Sequence, residues 1–379
     1  MQRILLLAAA VVFVDMLFFS ALTPLLPHYA HTLGLGKTGA GVLTAAYPAG
    51  VLVGAIPSGA VAARVGVKPT VVIGLSTVAV CIVVFGLADH AWQLFVARLV
   101  QGIASAFSWT GALAWLIAAA PEGRRGTLIG SAFAAAVGGT LFGPVLGGVA
   151  SLAATGWTFT VVGVASLGLV AFAATTPASP PDEPQPLSSL FGAFRDGRLL
   201  ACFWLVALPG LLFGNLSVLV PLRLSHLGYS GAAIGAVFLG SAALEAGNNI
   251  LVGRVSDRHG TTLPILIGLA GSALFAALLP WPNAAFLLAV VVVLASLAFG
   301  AFFTPALTLL THVSEARGLD YGYAFALVNL AWAPGETLGA AGGGSLAHAT
   351  ADAVPYLALA VICIASFALS GRLVLASRA

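Results

Sequence analysis

Three carboxyl side chains and one guanidinium stand where charge is hardest to keep. Asp15, Glu245, Glu336 and the lone base Arg98 each fall well inside an apolar stretch instead of in the polar segments between such stretches. An ionised carboxylate facing hydrocarbon costs about 2.5–3.5 kcal/mol or more, so all three acids must turn towards protein or water. Arg98 stays charged at any accessible pH and needs an acidic or carbonyl partner. Gln101 follows it by about one turn. These residue types offer two chemistries, exchange of protons and recognition of positive charge.

The elements that carry them must be membrane helices. The chain of 379 residues is 60% hydrophobic and 7% charged, against about 25% charged in ordinary soluble domains. Apolar segments of about 20 residues or more, each long enough for a ~30 Å hydrocarbon core, recur near 4–27, 39–62, 70–88, 91–118, 127–150, 157–175, 199–222, 231–252, 262–280, 284–311, 321–346 and 353–375. That makes twelve predicted spans. The first could open a signal peptide, but Asp15 interrupts its apolar core and no small-residue cleavage site follows. Cys81, Cys202 and Cys363 all lie within spans, so no disulfide framework or metal cluster is expected.

Basic residues accumulate in cytoplasmic loops. With both termini inside, the inner segments hold Arg3, Arg64, Lys68, Arg124, Arg125, Arg195, Arg198, Arg254, Arg258, Arg317, Arg372 and Arg378, and the outer loops only Lys37 and Arg223. The expected location is therefore the cytoplasmic membrane. The net charge of +3 reflects this topology and gives no reason to expect nucleic acid.

A proline-rich stretch, TTPASPPDEPQPLSSL at 175–190, suits an extended linker. It divides the chain into a six-span half at 1–174, a linker at 175–198 and a second half at 199–379. Across it GAVAARVGVKPTVVIGL (59–75) and GRVSDRHGTTLPILIGL (253–269) align without a gap, matching Gly59 to Gly253, Arg64 to Arg258 and Gly66 to Gly260. The expected fold is an all-α membrane protein of twelve transmembrane helices in two pseudo-symmetric halves. A duplicated unit of this kind points to a transporter whose halves rock about a central site.

The second copy of that loop, with Gly253, Asp257, Arg258 and Gly260, resembles the cytoplasmic loop signature of the major facilitator superfamily. The first copy departs from it, because Ala63 stands where the acid is expected. RLVQGIASA (98–106) resembles the superfamily's Arg-x2-Gln-Gly signature. GGTLFGPVLGG (138–148) resembles the fifth-helix signature of proton-driven antiporters, and VDMLFFSALTPLLP the first helix of drug/proton antiporters and vesicular-amine-transporter relatives. Gly139, Gly143 and Gly147 fall four apart, on one face where backbones can approach. Pro144 removes a backbone hydrogen bond and favours a bend. With Gly148 they read as a seam at the interface between the halves.

The resemblance implies a proton-coupled antiporter that exports small amphipathic, cationic compounds, driven by the proton gradient with no cofactor. It implies coupling roles for Asp15 and Arg98, with Glu245 and Glu336 as further acids. Cavity candidates are Phe19, Gln101, Trp109, Asn215, Asn248, Asn329 and Trp332, and the aromatics Trp115, Phe133, Phe213, Phe238 and Phe325 are open to the same reading. The alternative is a facilitator-fold carrier for a polar metabolite such as a sugar, amino acid or polyamine. Expected partners are protons, a small solute and lipid, with the chain a monomer. An enzyme is not expected: the spans lack a nucleophile–base or metal constellation, and the chain lacks a phosphate-binding Gly-x4-Gly-Lys-Ser/Thr loop.

Overall fold

The computed structural model describes residues 2–121, 125–153, 155–177, 194–319 and 321–376. Linker residues 178–193 and Arg124 and Arg378 lie outside it, as do the side chains of Arg125, Asp257, Phe325 and Arg372. The described residues form thirteen helices: α1 (Gln2–Thr32), α2 (Gly36–Val65), α3 (Val67–Gly86), α4 (Ala91–Ala119), α5 (Arg125–Leu152), α6 (Thr155–Thr175), α7 (Gly197–His226), α8 (Gly231–His259), α9 (Thr262–Leu278), α10 (Ala285–Ala301), α11 (Phe303–Ala316), α12 (Tyr321–Ala349) and α13 (Ala353–Ala376). Ten segments are long and apolar enough to cross a membrane, with α10 and α11 counted as one. The shorter α9 and the glycine-rich α12 complete twelve. The break between α10 and α11 at Phe302 was not expected. Pro305, in the first turn of α11, has no N–H to continue the ladder from Ala301.

The helices pack in one order, used twice. In the first half α1 lies on α5, α2 on α4, and α3 on α4 and α6; in the second α7 lies on α12, α8 on α10, and α9 on α10 and α13. The halves meet chiefly through α2 with α12 and α5 with α8. Glycines set the closeness of these seams. A Cβ on Gly41 would lie 2.5 Å from the Ala340 carbonyl oxygen, and one on Gly235 would lie 2.6 Å from that of Pro144. Both contacts lie towards the end of the molecule away from the N-terminus of α1. There Lys37 Nζ, at the start of α2, also meets Asp352 Oδ1 of the second half at 2.5 Å, with Arg223 4.0 Å from the other oxygen. The halves are thus closed against each other on this face.

The glycine stripe of α5 is a correction. Gly139, Gly143 and Gly147 face α1 of their own half: added Cβ atoms would lie 3.0 Å from Leu17 N, 2.6 Å from Leu17 O and 2.6 Å from Pro24 Cγ respectively. Of these motif residues, Pro144 and Gly148 turn to α8 across the boundary, where Gly148 meets Ala232. A four-residue spacing defines a face but not its partner. Pro144 frees the Thr140 carbonyl, and Ser20 Oγ of α1 shares its one proton between this oxygen at 3.1 Å and the Met16 carbonyl at 2.8 Å. In a bilayer such a carbonyl requires a partner from protein or water.

The second half repeats the device on α12. Gly335, Gly339 and Gly343 face Ala207, Leu211 and Asn215 of α7. In the repeated loops Gly66 and Gly260 adopt φ of 106° and 80°, ending α2 and α8 in a conformation that favours glycine. Gly59 and Gly253 have open space where a Cβ would stand, and Arg64 and Arg258 are exposed.

Candidate functional site

Between the halves lies a cavity of about 380 Å³, within the range that holds small organic ligands. Its first-half wall includes Phe19, Ser20, Tyr47, Arg98, Ser105, Trp109, Phe133 and Pro144; its second-half wall includes Phe213, Phe238, Glu245, Asn329, Trp332 and Glu336. Most of the lining is apolar or aromatic. Phe19 packs on Tyr47 with ring centroids 4.7 Å apart and on Trp332 at 6.0 Å, so one aromatic cluster spans both halves at the cavity wall.

Asp15 stands behind this wall, 2% exposed. Its Oδ2 accepts from Ser105 Oγ at 2.6 Å, Tyr47 Oη at 2.7 Å and Trp109 Nε1 at 2.8 Å, while its Oδ1 is buried with no hydrogen-bond partner among the described residues. One oxygen therefore takes three donors and the other takes none. A proton can occupy Oδ1 without displacing the donors that hold Oδ2. Those donors come from α2 and α4, so the packing of three helices positions the group.

Arg98 is buried on α4 and makes no ion pair among the described residues. Its Nη1 donates to Gln101 Oε1 at 3.0 Å and Phe18 O at 3.5 Å, and its Nη2 to Phe19 O at 3.3 Å. Its guanidinium lies over the Tyr47 ring, 5.2 Å from the centroid, and 5.7 Å from the rings of Phe18 and Phe19. Carbonyls and π faces thus supply the required partners. The cation reaches Asp15 through Tyr47, whose ring it covers and whose hydroxyl binds the carboxyl group.

The two acids of the second half are differently placed. Glu336 is 3% exposed and lines the cavity, yet none of the described residues hydrogen-bonds its carboxyl group. Gly210 and Gly214 of α7 bring that helix against its backbone: a Cβ on Gly210 would lie 2.9 Å from Glu336 N. Glu245 is half-buried and leans on α10, where a Cβ on Gly300 would lie 2.6 Å from its Oε1.

Of the other expected cavity residues, Phe19, Trp109, Asn329 and Trp332 line the space, as do Phe133, Phe213 and Phe238. Gln101, Asn215 and Asn248 do not. Gln101 is spent on Arg98, and Asn248 donates to the Leu297 carbonyl at 3.3 Å. Asn215 is turned into the α7–α12 seam against Gly343, and neither amide atom has a hydrogen-bond partner among the described residues. Trp115 is core. Sequence reasoning missed Tyr47, Ser105 and Ser20. A signal for Ser105 existed, because Arg98, Gln101, Ser105 and Trp109 follow at intervals of three, four and four, which puts them on one face of α4.

Solved structures share this architecture. A bacterial homologue of the human lysosomal transporter Spinster, in an inward-facing and unoccupied conformation, superposes with a TM-score of 0.79 at 18% identity, over 98% of this chain and 97% of that one. The nucleoside transporter NupG superposes at 0.77, 14% identity, 97% and 98% coverage. A D-xylose–proton symporter does so at 0.76, 15% identity, 97% of both chains. At such identities the likeness concerns the fold. No curated protein sequence matches the chain. The sequence model of the Major Facilitator Superfamily matches residues 8–335 and, in a second match, 202–379. With the duplicated packing order and the cavity between its halves, the chain belongs to the Major Facilitator Superfamily and is a secondary transporter, not an enzyme.

Proposed function

We propose that the protein is a proton-coupled antiporter of the multidrug efflux type that exports small amphipathic cations by alternating access. Asp15 is the coupling carboxyl group. The observation that carries this reading is its asymmetry, with three donors on Oδ2 and a bare, buried Oδ1 one layer behind the cavity wall. The donors fix the group's orientation whether or not Oδ1 holds a proton, so loading and release need no repacking of α1. Arg98, stacked on Tyr47, balances the charge left when the proton departs. Apolar and aromatic walls favour an amphipathic solute over a sugar, which needs many convergent hydrogen-bonding groups.

In this reading the face bearing the N-terminus is cytoplasmic, as the distribution of basic residues suggests. The closed α2–α12 and α5–α8 seams then form the outer gate, and the structure is closed to the outside. Rocking of the halves opens these seams and exposes the cavity outward. Substrate-dependent proton flux in proteoliposomes, screened over organic cations, sugars and amino acids, tests the assignment. Proton release coupled to cation uptake supports it; uptake of a neutral sugar or amino acid with a co-moving proton replaces it with a metabolite carrier.

A further inference from the structure

We infer that Glu336 is a group that reads the substrate's positive charge, separately from the proton-carrying Asp15, and that the substrates it selects are cations with an aromatic or aliphatic body. This rests on the transport reading above and assigns the specificity of the same cavity. The two carboxyl groups differ in what surrounds them. Asp15 is screened from the cavity by Tyr47, Ser105 and Trp109 and is held by all three. Glu336 lines the cavity, is almost fully buried and has no donor or cation of its own among the described residues. A carboxylate so placed gains more from a cationic partner than one in water, because the surrounding dielectric is low.

Its neighbours fit such a partner. Asn329, Trp332 and Glu336 follow at intervals of three and four on α12, so one helical face presents an amide, an indole and a carboxyl group to the cavity. Phe19 packs edge-on to Trp332 from the other half. A cation lying beside Glu336 therefore meets aromatic faces as well as the carboxylate. Placement is rigid, since Gly210 and Gly214 let α7 touch the α12 backbone at this very residue. Division between halves follows: the first carries the proton and the second carries the cation.

The test compares a cation with a neutral analogue of similar shape, tetraphenylphosphonium and triphenylphosphine oxide, binding to the purified full-length protein. The wild type is expected to prefer the phosphonium by tenfold or more. Glu336→Gln should remove that preference by weakening phosphonium binding at least tenfold, while the affinity for the oxide stays within twofold. Glu336→Asp, which keeps the charge, should restore part of it, and this separates lost charge from lost fold. The inference is overturned if Glu336→Gln binds the phosphonium normally, if it loses both probes equally, or if the wild type shows no preference. Because coupling in proteoliposomes depends on Asp15 and not on this preference, the transport reading and the charge-reading role fail separately.

Discussion

Replacing Gly41 by Ala should shift the protein between its two conformations without unfolding it. The added Cβ falls 2.5 Å from the Ala340 carbonyl oxygen and 3.3 Å from Gly344 Cα, and both neighbours are backbone atoms that cannot rotate away. The seam must therefore part slightly. Overpacking of this kind costs about 1–3 kcal/mol. Gly41 and Ala340 belong to different halves, so the cost falls on the state in which α2 and α12 are closed and is absent when they separate. A differential of 1–3 kcal/mol changes the population ratio by about 5- to 150-fold. Spin labels at Thr38 and Thr350, where α2 and α12 meet on the closed face, would report the change by double electron–electron resonance as a longer distance gaining weight. Gly143→Ala is the control, since its clash with α1 lies inside one half and should leave the distance distribution unchanged. The reasoning is refuted if Gly41→Ala folds normally with a wild-type distribution, or if Gly143→Ala shifts it equally.

Gly143→Ala should instead cost stability. Its Cβ would fall on Ser20 Oγ and lie 2.6 Å from the Leu17 carbonyl oxygen, overpacking worth about 1–3 kcal/mol, read as a lower midpoint of thermal unfolding in detergent. Lys37→Ala or Asp352→Ala should shift the balance by at most about 1 kcal/mol, the ceiling for partly exposed pairs, towards the state in which α2 and α12 separate; the shift should vanish in high salt. At the start of α7 the backbone N–H of Arg198 and the Arg317 guanidinium hold the Asp196 carboxyl below its usual range. Its contribution is complete above the ordinary carboxylate value and is lost as pH falls through the lowered one, so Asp196→Asn should flatten the acid side of a stability–pH profile below about pH 4. Tyr47→Phe should slow proton-coupled export while leaving exchange of substrate for substrate, by removing one of the three donors that orient Asp15.

Twelve spans and the duplicated half were legible because hydropathy runs and a gapless repeat are local properties of the chain. The break at Phe302 was not, although Pro305 marked it. Asp15, Arg98 and Glu336 were legible as charges that hydrocarbon cannot hold. Their surroundings were hidden, because Tyr47, Ser105 and Trp109 meet Asp15 only after α1, α2 and α4 pack. The same limit explains the misplaced residues: a glycine stripe at spacing four announces a seam without naming the helix across it, and Asn215 cannot be assigned to a cavity or to a seam until the rotation of α7 is known. Gly335, Gly339 and Gly343 repeated the α5 spacing in plain view and could have been read as the second half's counterpart.

Proton-coupled export through Asp15 is tested most directly by transport in proteoliposomes under an imposed pH gradient. Asp15→Asn should abolish concentration of a transported cation against its gradient while preserving its equilibrative exchange, since the cavity and Glu336 are untouched. Uphill, pH-driven accumulation by purified Asp15→Asn protein at the wild-type rate would contradict the account.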